Sequence, residues 1–159
     1  MSKSREEVNR TAWATIDQLP QSSFDRAGLA ISGRPKSFPE LEEQLRMGID
    51  FDCALSMFLH EFYQHRDPRF FEEHPSQQLS DINRAALAGA TEWLCHRFGY
   101  EVPAWTEAPE YFLEQERNWF EDMFDQDFLV SHREYHLGRS AQEFTRRNLL
   151  FPVLGLCRI

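Results

Sequence analysis

The residues best suited to chemistry in this chain are its six histidines, two of which have the spacing of metal ligands. His132 and His136 lie four positions apart, so they would share one face of a helix, with Glu134 between them. A catalytic zinc ion usually has three protein ligands, and no third ligand is evident near this pair. We therefore expect a surface pair. His132 and His136 remain weak metal candidates, and we predict neither a metal nor a cofactor.

A second pair, Arg69 and His74 in the segment RFFEEH, joins a phosphate-binding group to one that can move a proton. The pair resembles the signature of HEPN-type ribonucleases, helical proteins in which an arginine and a histidine act on RNA at a dimer interface. The resemblance implies a metal-independent, homodimeric ribonuclease with Arg69 and His74 as catalytic residues. Pro68 and Pro75 bracket the pair, which favours an exposed loop. The ribonuclease is therefore our alternative hypothesis, and the leading one assigns no catalytic residue.

The charge of the chain is acidic and unevenly distributed. The 159 residues carry a formal net charge of −9, with 26 acidic against 17 basic residues. A phosphate backbone repels such a surface, so generic nucleic-acid binding is disfavoured, as is a DNA-binding role for the arginines of 133–147. Residues 101–130 hold nine acidic residues and one arginine, whereas 131–159 hold five arginines and two glutamates. We expect Arg146 and Arg147 at a helix C-terminus, where the helix dipole favours a cation. The alternative is that the oppositely charged segments pair, either within the chain or with a basic-surfaced partner.

The candidate interaction residues are the acidic side chains of the first segment and two adjacent arginines of the second. They are Glu114, Glu116, Glu121, Asp122, Asp125, Arg146 and Arg147.

The elements that must position these residues are predicted to be helices. Ser80 and Gly99 bracket an alanine-rich helix over 81–98, which we take as central. Ser4 with Glu7 and Ser140 with Glu143 each predict a capping box. Ser37 and Pro39 start another helix, and the pattern leaves open whether 38–65 is one helix or two.

The overall prediction is an all-α fold, a compact bundle of about five to seven helices. Its C-terminal part is irregular and rich in aromatic residues, with one or two helices lined by residues between Tyr111 and Phe128. We expect a single domain over 1–159, built around one hydrophobic core. An apolar content of 42% is ample for such a core.

The cysteines and the N-terminus predict a cytoplasmic protein. Cys53, Cys95 and Cys157 are far apart and form no CxxC pair, which is typical of buried free thiols in a reducing compartment. The N-terminus lacks the apolar region of a signal peptide, and no run approaches the roughly 20 apolar residues of a membrane span. We expect no membrane contact.

Residues 51–159 resemble a group of small bacterial helical proteins in the order and spacing of four segments. The segments are FLHEFYQHRDP (58–68), LAGATEWLCHRFGYEVPAWTEAPEYFL (87–113), Trp119-Phe120 and AQEFTRRNLLF (141–151). Relatives in that group occur as separate proteins or attached to helix-turn-helix regulators, and some look like partners in toxin–antitoxin or defence loci. The resemblance implies that 51–159 is the family-like core of the domain and that 1–50 holds more variable N-terminal helices. It also implies a binding or regulatory role and assigns no catalytic residue. The leading hypothesis is therefore a protein-interaction or regulatory module, antitoxin-like in its most specific form.

Overall fold

The computed structural model of this chain describes residues 33–157, and those from Pro35 onward belong to one compact unit. The helix predicted from Ser4 and Glu7 lies outside the described residues. Within them the fold is predominantly helical, which confirms the predicted class. The α-helices are α1 Phe38–Arg46, α2 Phe51–His65, α3 Asp81–Phe98, α4 Gln126–Ser131, α5 Arg133–Gly138 and α6 Gln142–Thr145. The extent of the single domain, 1–159, stays a prediction.

The segment 38–65 forms two helices, which settles the point left open by the sequence. The Ser37 hydroxyl accepts a hydrogen bond from the Glu40 amide and starts α1. After Met47 the chain takes a positive φ of 93° at Gly48, which ends the helix. The Asp50 carboxylate then accepts from the Cys53 amide at 2.8 Å and starts α2.

Helix α3 has the predicted bounds, with Ser80 as its N-cap and Gly99 in the left-handed conformation at its end. Residues 85–90, which are small apart from Leu87, are all buried. A Cβ atom added at Gly89 would lie 2.5 Å from Cδ1 of Phe144, so the backbone of α3 meets this ring directly. The alanine-rich stretch therefore lets the C-terminal segment approach α3 closely.

The chain around and after α3 contains several short elements. Two-residue strands β1 (Arg117–Asn118) and β2 (Leu149–Leu150) pair in parallel, with Arg117 opposite Leu149. Four 3-10 helices are described, Pro68–Phe71, Ala104–Glu107, Pro109–Tyr111 and Val153–Leu156.

Two sequence predictions for the C-terminal half are wrong. The first is one or two helices lined by residues 111–128: only Phe128 of those aromatics lies in an α-helix, because proline turns and the β1–β2 pairing occupy the backbone before it. The second is the Ser140–Glu143 capping box. Ala141 is the N-cap of α6, since the Ser140 hydroxyl donates to the His136 carbonyl and accepts from the Phe151 amide.

Candidate interaction surface

Arg147 is an internal residue, with its side chain 0% exposed. Its Nη1 donates to the Glu143 carbonyl at 2.6 Å and to the Glu92 carboxylate at 3.3 Å, and its Nη2 donates to the Thr106 carbonyl at 3.0 Å. Burial lowers the pKa of Arg147, and the charge of Glu92 opposes that shift. Arg147 thus stabilises the fold and is not available to a partner in this structure.

Arg146 is paired within the chain as well. Its Nη1 donates to Glu92 at 2.6 Å and its Nη2 to Glu107 at 2.7 Å. The Arg146 hydrogen bonds lower the pKa of the Glu107 carboxyl. The alternative interpretation of this arginine, pairing with the acidic segment, is therefore met inside the molecule, through Glu107.

Three of the five acidic candidates also have internal roles. Glu116 binds Arg133, with both side-chain oxygens at 2.8 Å from its guanidinium nitrogens. Glu121 binds Arg117, and the Asp125 carboxylate caps α4 through the Phe128 amide. By contrast, Glu114 and Asp122 are exposed, and no described residue binds their carboxylates. Only these two acidic candidates are wholly open to a partner.

The two histidines considered for a metal have other neighbours. The His132 ring stacks on Phe128 with centroids 4.0 Å apart, and its Nδ1 lies 2.9 Å from the Phe128 carbonyl. His136 contacts the Asn118 amide through Nδ1. Across residues 33–157 there is no group of three or more metal-ligating side chains, so the pair has no third ligand in this part of the chain.

Arg69 and His74 are held by different groups. Asp67 binds the Arg69 guanidinium in a bidentate arrangement, with Nη2 at 2.7 Å from Oδ2. The Nδ1 of His74 lies 2.9 Å from the Pro75 carbonyl. A shallow concavity beside Arg69 is lined by Glu72 and Glu101 and does not include His74. The carboxylates of Glu72 and Glu101 disfavour a phosphate next to Arg69. The ribonuclease activity stays an untested prediction.

The most distinctive surface feature is a row of four rings in contact, which we call the aromatic ladder: Phe120, Phe124, Phe128 and His132. Phe120 meets Phe124 edge-on, and the other two pairs are stacked. Successive centroids are 6.2, 4.7 and 4.0 Å apart. Phe124 is 42% exposed and Phe128 is 37% exposed. The four-residue spacing of these residues is visible in the sequence, but spacing alone does not distinguish a buried stripe from an exposed one.

The segment around the aromatic ladder adds further exposed apolar surface and negative charge. Met123, Val130 and Tyr135 are 62%, 65% and 57% exposed. Residues 118–132 contain four acidic side chains and no lysine or arginine. Contiguous exposed apolar side chains with a polar rim are typical of protein-binding surfaces.

A cavity of about 230 Å³ lies next to the first ring of the aromatic ladder. Its lining includes Asn118, Phe120, Tyr135, His136, Arg139 and Phe151. Aromatic walls with a small number of polar groups are the usual composition of a small-molecule site.

Cys53 and Cys95 are not activated nucleophiles. Burial raises the pKa of Cys95 to about 11 and also raises the pKa of Cys53. A raised pKa keeps a thiol protonated near neutral pH, and the protonated form is a poor nucleophile. These thiols are packing residues.

No protein-family model, curated protein or solved structure matches this chain. The resemblance to small bacterial helical proteins therefore stays a prediction. Between residues 33 and 157, none of the helices combines the length and the apolar character that crossing a bilayer requires.

Proposed function

We propose that this protein is an interaction module that binds a basic, amphipathic segment of a partner protein on the aromatic ladder. The observation that carries the proposal is the exposure of the stacked rings Phe124 and Phe128. Aromatic side chains provide large, rigid contact areas, and they are enriched among the residues that dominate binding energy at interfaces.

The charge of the surrounding segment selects the partner. Four acidic residues lie in 118–132 without a basic one, and Glu134 follows with its side chain 89% exposed. A lysine or arginine on the partner can bind these carboxylates or lie over the face of a ring. Attraction between opposite charges also speeds association, and added salt screens it. The preferred partner segment therefore has leucine-like residues on one face and basic residues on the other.

An antitoxin-like or regulatory role is the specific form of this proposal. An acidic aromatic surface can cover a basic active site or channel of a second protein and block it. Support comes from the sequence resemblance and from the charge of the segment. The partner is a protein, and a second copy of this chain is a poorer match because its ladder segment is equally acidic. A cytoplasmic location belongs to the same proposal.

A peptide-binding assay tests the proposal. The probe is a synthetic amphipathic helix with leucines on one face and lysines and arginines on the other, followed by fluorescence anisotropy. We expect a Kd on the order of 10 μM at low salt, weakening as salt is added. A peptide with glutamates in place of the basic residues is the matched control and should not bind.

Variants locate the binding site on the protein. Phe124→Ser should weaken binding by about tenfold or more, because truncated aromatic anchors are among the largest losses at interfaces. Leu154→Ser is the control, since Leu154 is an exposed apolar residue, 67% exposed, in the C-terminal 3-10 helix. Equal weakening by both substitutions, or equal binding of the acidic peptide, would contradict the proposal.

A further inference from the structure

The cavity beside Phe120 has walls of two kinds. Phe120, Tyr135 and Phe151 provide aromatic surface, and Asn118, His136 and Arg139 provide polar groups. No carboxylate is among its lining residues, although the chain as a whole carries a net charge of −9. The cavity is therefore a local exception to the acidic character of the protein.

Hydrogen bonds determine which nitrogen of the His136 imidazole is the donor. Oδ1 of Asn118 accepts from the Phe120 amide at 2.8 Å, so the Asn118 NH₂ group is the one that faces His136. Nδ1 of His136 must then be the acceptor, and the neutral ring carries its proton on Nε2. No described residue accepts that proton, so Nε2–H is available as a donor on a residue that lines the cavity.

Arg139 brings an unneutralised positive charge to the same cavity. Its guanidinium carbon lies 4.4 Å from the centroid of the Tyr135 ring, and no described carboxylate pairs with it. The Val153 amide donates to the Arg139 carbonyl at 3.1 Å, which ties its backbone to the C-terminal segment. The Tyr135 hydroxyl likewise has no partner among the described residues.

Four other arginines have the carboxylate partner that Arg139 lacks. Arg117, Arg133, Arg146 and Arg147 each have a carboxylate within ion-pair distance. A planar guanidinium is well matched to a carboxylate, which it can bind through two parallel hydrogen bonds. The guanidinium of Arg139, on the wall of a cavity with no carboxylate, thus has the chemistry of a carboxylate-binding group.

We propose that this cavity binds a small carboxylate with an aromatic or apolar body. Arg139 would pair with the carboxylate, His136 and Tyr135 would add neutral donors, and Phe120 and Phe151 would contact the apolar body. An apolar cavity of roughly 150 Å³ accommodates benzene, so a cavity of about 230 Å³ is large enough for a ligand with one or two rings. The inference does not depend on the proposed partner, because it rests on the lining of the cavity alone.

Titration with a panel of small carboxylates, followed by ¹H–¹⁵N NMR of the full chain, tests the inference. The panel consists of benzoate, phenylacetate, indole-3-acetate and hexanoate, each compared with its neutral amide. We expect at least one carboxylate to bind with a Kd on the order of 1 mM or tighter. Its amide should bind about tenfold more weakly or worse, since it cannot form the charge-assisted pair. Failure of every carboxylate, or equal binding of the amides, would overturn the inference.

The matched variants are Arg139→Leu and Arg97→Leu. Arg97 is exposed and lies over the Trp93 ring at 5.2 Å, outside this cavity. Arg139→Leu should weaken carboxylate binding by about tenfold or more while leaving the NMR spectrum of the folded core in place. Arg97→Leu should leave binding unchanged. If both variants lost carboxylate affinity equally, the net surface charge would explain the loss, and the inference would be overturned.

Discussion

Phe62 and Phe124 are both phenylalanines in contact with other rings, but they lie in different kinds of surroundings. Phe62 is 0% exposed, with neighbouring rings that include Phe70, Phe71 and Phe98. Phe124 contacts Phe120 and Phe128 and remains 42% exposed. The first ring is part of the core, whereas the second is surface that the described chain leaves uncovered.

Three arginines show a similar contrast. Near α3, the carboxylate of Glu92 binds both Arg146 and Arg147. Near the aromatic ladder, Arg139 has no carboxylate partner among the described residues. The comparison indicates that one region stabilises the fold and that the other holds groups available for binding. Matched substitutions in the two regions test that division.

The largest difference is expected between Phe62→Ala and Phe124→Ala. Removing the buried ring should lower the free energy of unfolding by about 3–5 kcal/mol, because it leaves a cavity in the core. Removing the exposed ring should change it by less than about 1 kcal/mol. Urea denaturation of the two variants measures both values. A loss above 2 kcal/mol, roughly, for Phe124→Ala would show that the aromatic ladder is structural.

The next pair is Arg147→Ala and Arg133→Ala. The first variant removes a buried partner of Glu92 and should destabilise the protein by about 3 kcal/mol. The second breaks the exposed Glu116–Arg133 pair, which should contribute at most about 1 kcal/mol. Thermal unfolding at low and high salt distinguishes them, since only the exposed pair is strongly screened. Equal losses would contradict the assignment of Arg147 to the core.

Replacing two glycines by alanine should change the free energy of unfolding by smaller amounts and in opposite directions. Gly89→Ala should destabilise by about 2 kcal/mol, because the new methyl group would overlap the Phe144 ring. Gly138→Ala, at the end of α5, meets open space and should be neutral or stabilising by up to about 0.5 kcal/mol. Chemical denaturation decides the point, and stabilisation by Gly89→Ala would mean that α3 and Phe144 are not in contact.

Acidification should produce the smallest effect of the series. Arginine partners hold the pKa of Glu107 and Glu116 below the ordinary value of 4.5. The unfolded chain therefore takes up protons first as the pH falls. The stability from these pairs is present above pH 4.5 and is lost as the pH drops through and below it. Denaturation between about pH 6 and pH 3 should show this slope, and Glu116→Gln should reduce it. An unchanged slope in that variant would contradict the role of the Arg133 pair.

The sequence predicted the helices whose ends carry local signals. Ser37, Ser80 and Gly99 mark helix ends through their own side chains or backbone, and the helices begin or end there. Ser140 has the same local signal but binds His136 and Phe151, because contacts distant in sequence compete for its hydroxyl. Local patterns cannot express that competition.

The sequence shows the spacing of the residues on the candidate surface, but it does not show that they are exposed. The spacing of Phe120, Phe124, Phe128 and His132 is regular, yet spacing alone does not separate a core stripe from an exposed one. Likewise, Arg146 and Arg147 are adjacent in sequence, but only Arg147 is fully buried. Burial is a property of tertiary packing, so it had to come from the structure.

The most direct test of the interaction surface is capture of the natural partner from the host cell, with the wild-type protein and two variants compared by mass spectrometry. The account predicts a partner that contains a basic amphipathic segment, is retained by Leu154→Ser, and is lost from the Phe124→Ser/Phe128→Ser double variant. A partner retained equally by the double variant would contradict the account, because binding would then lie outside the aromatic ladder.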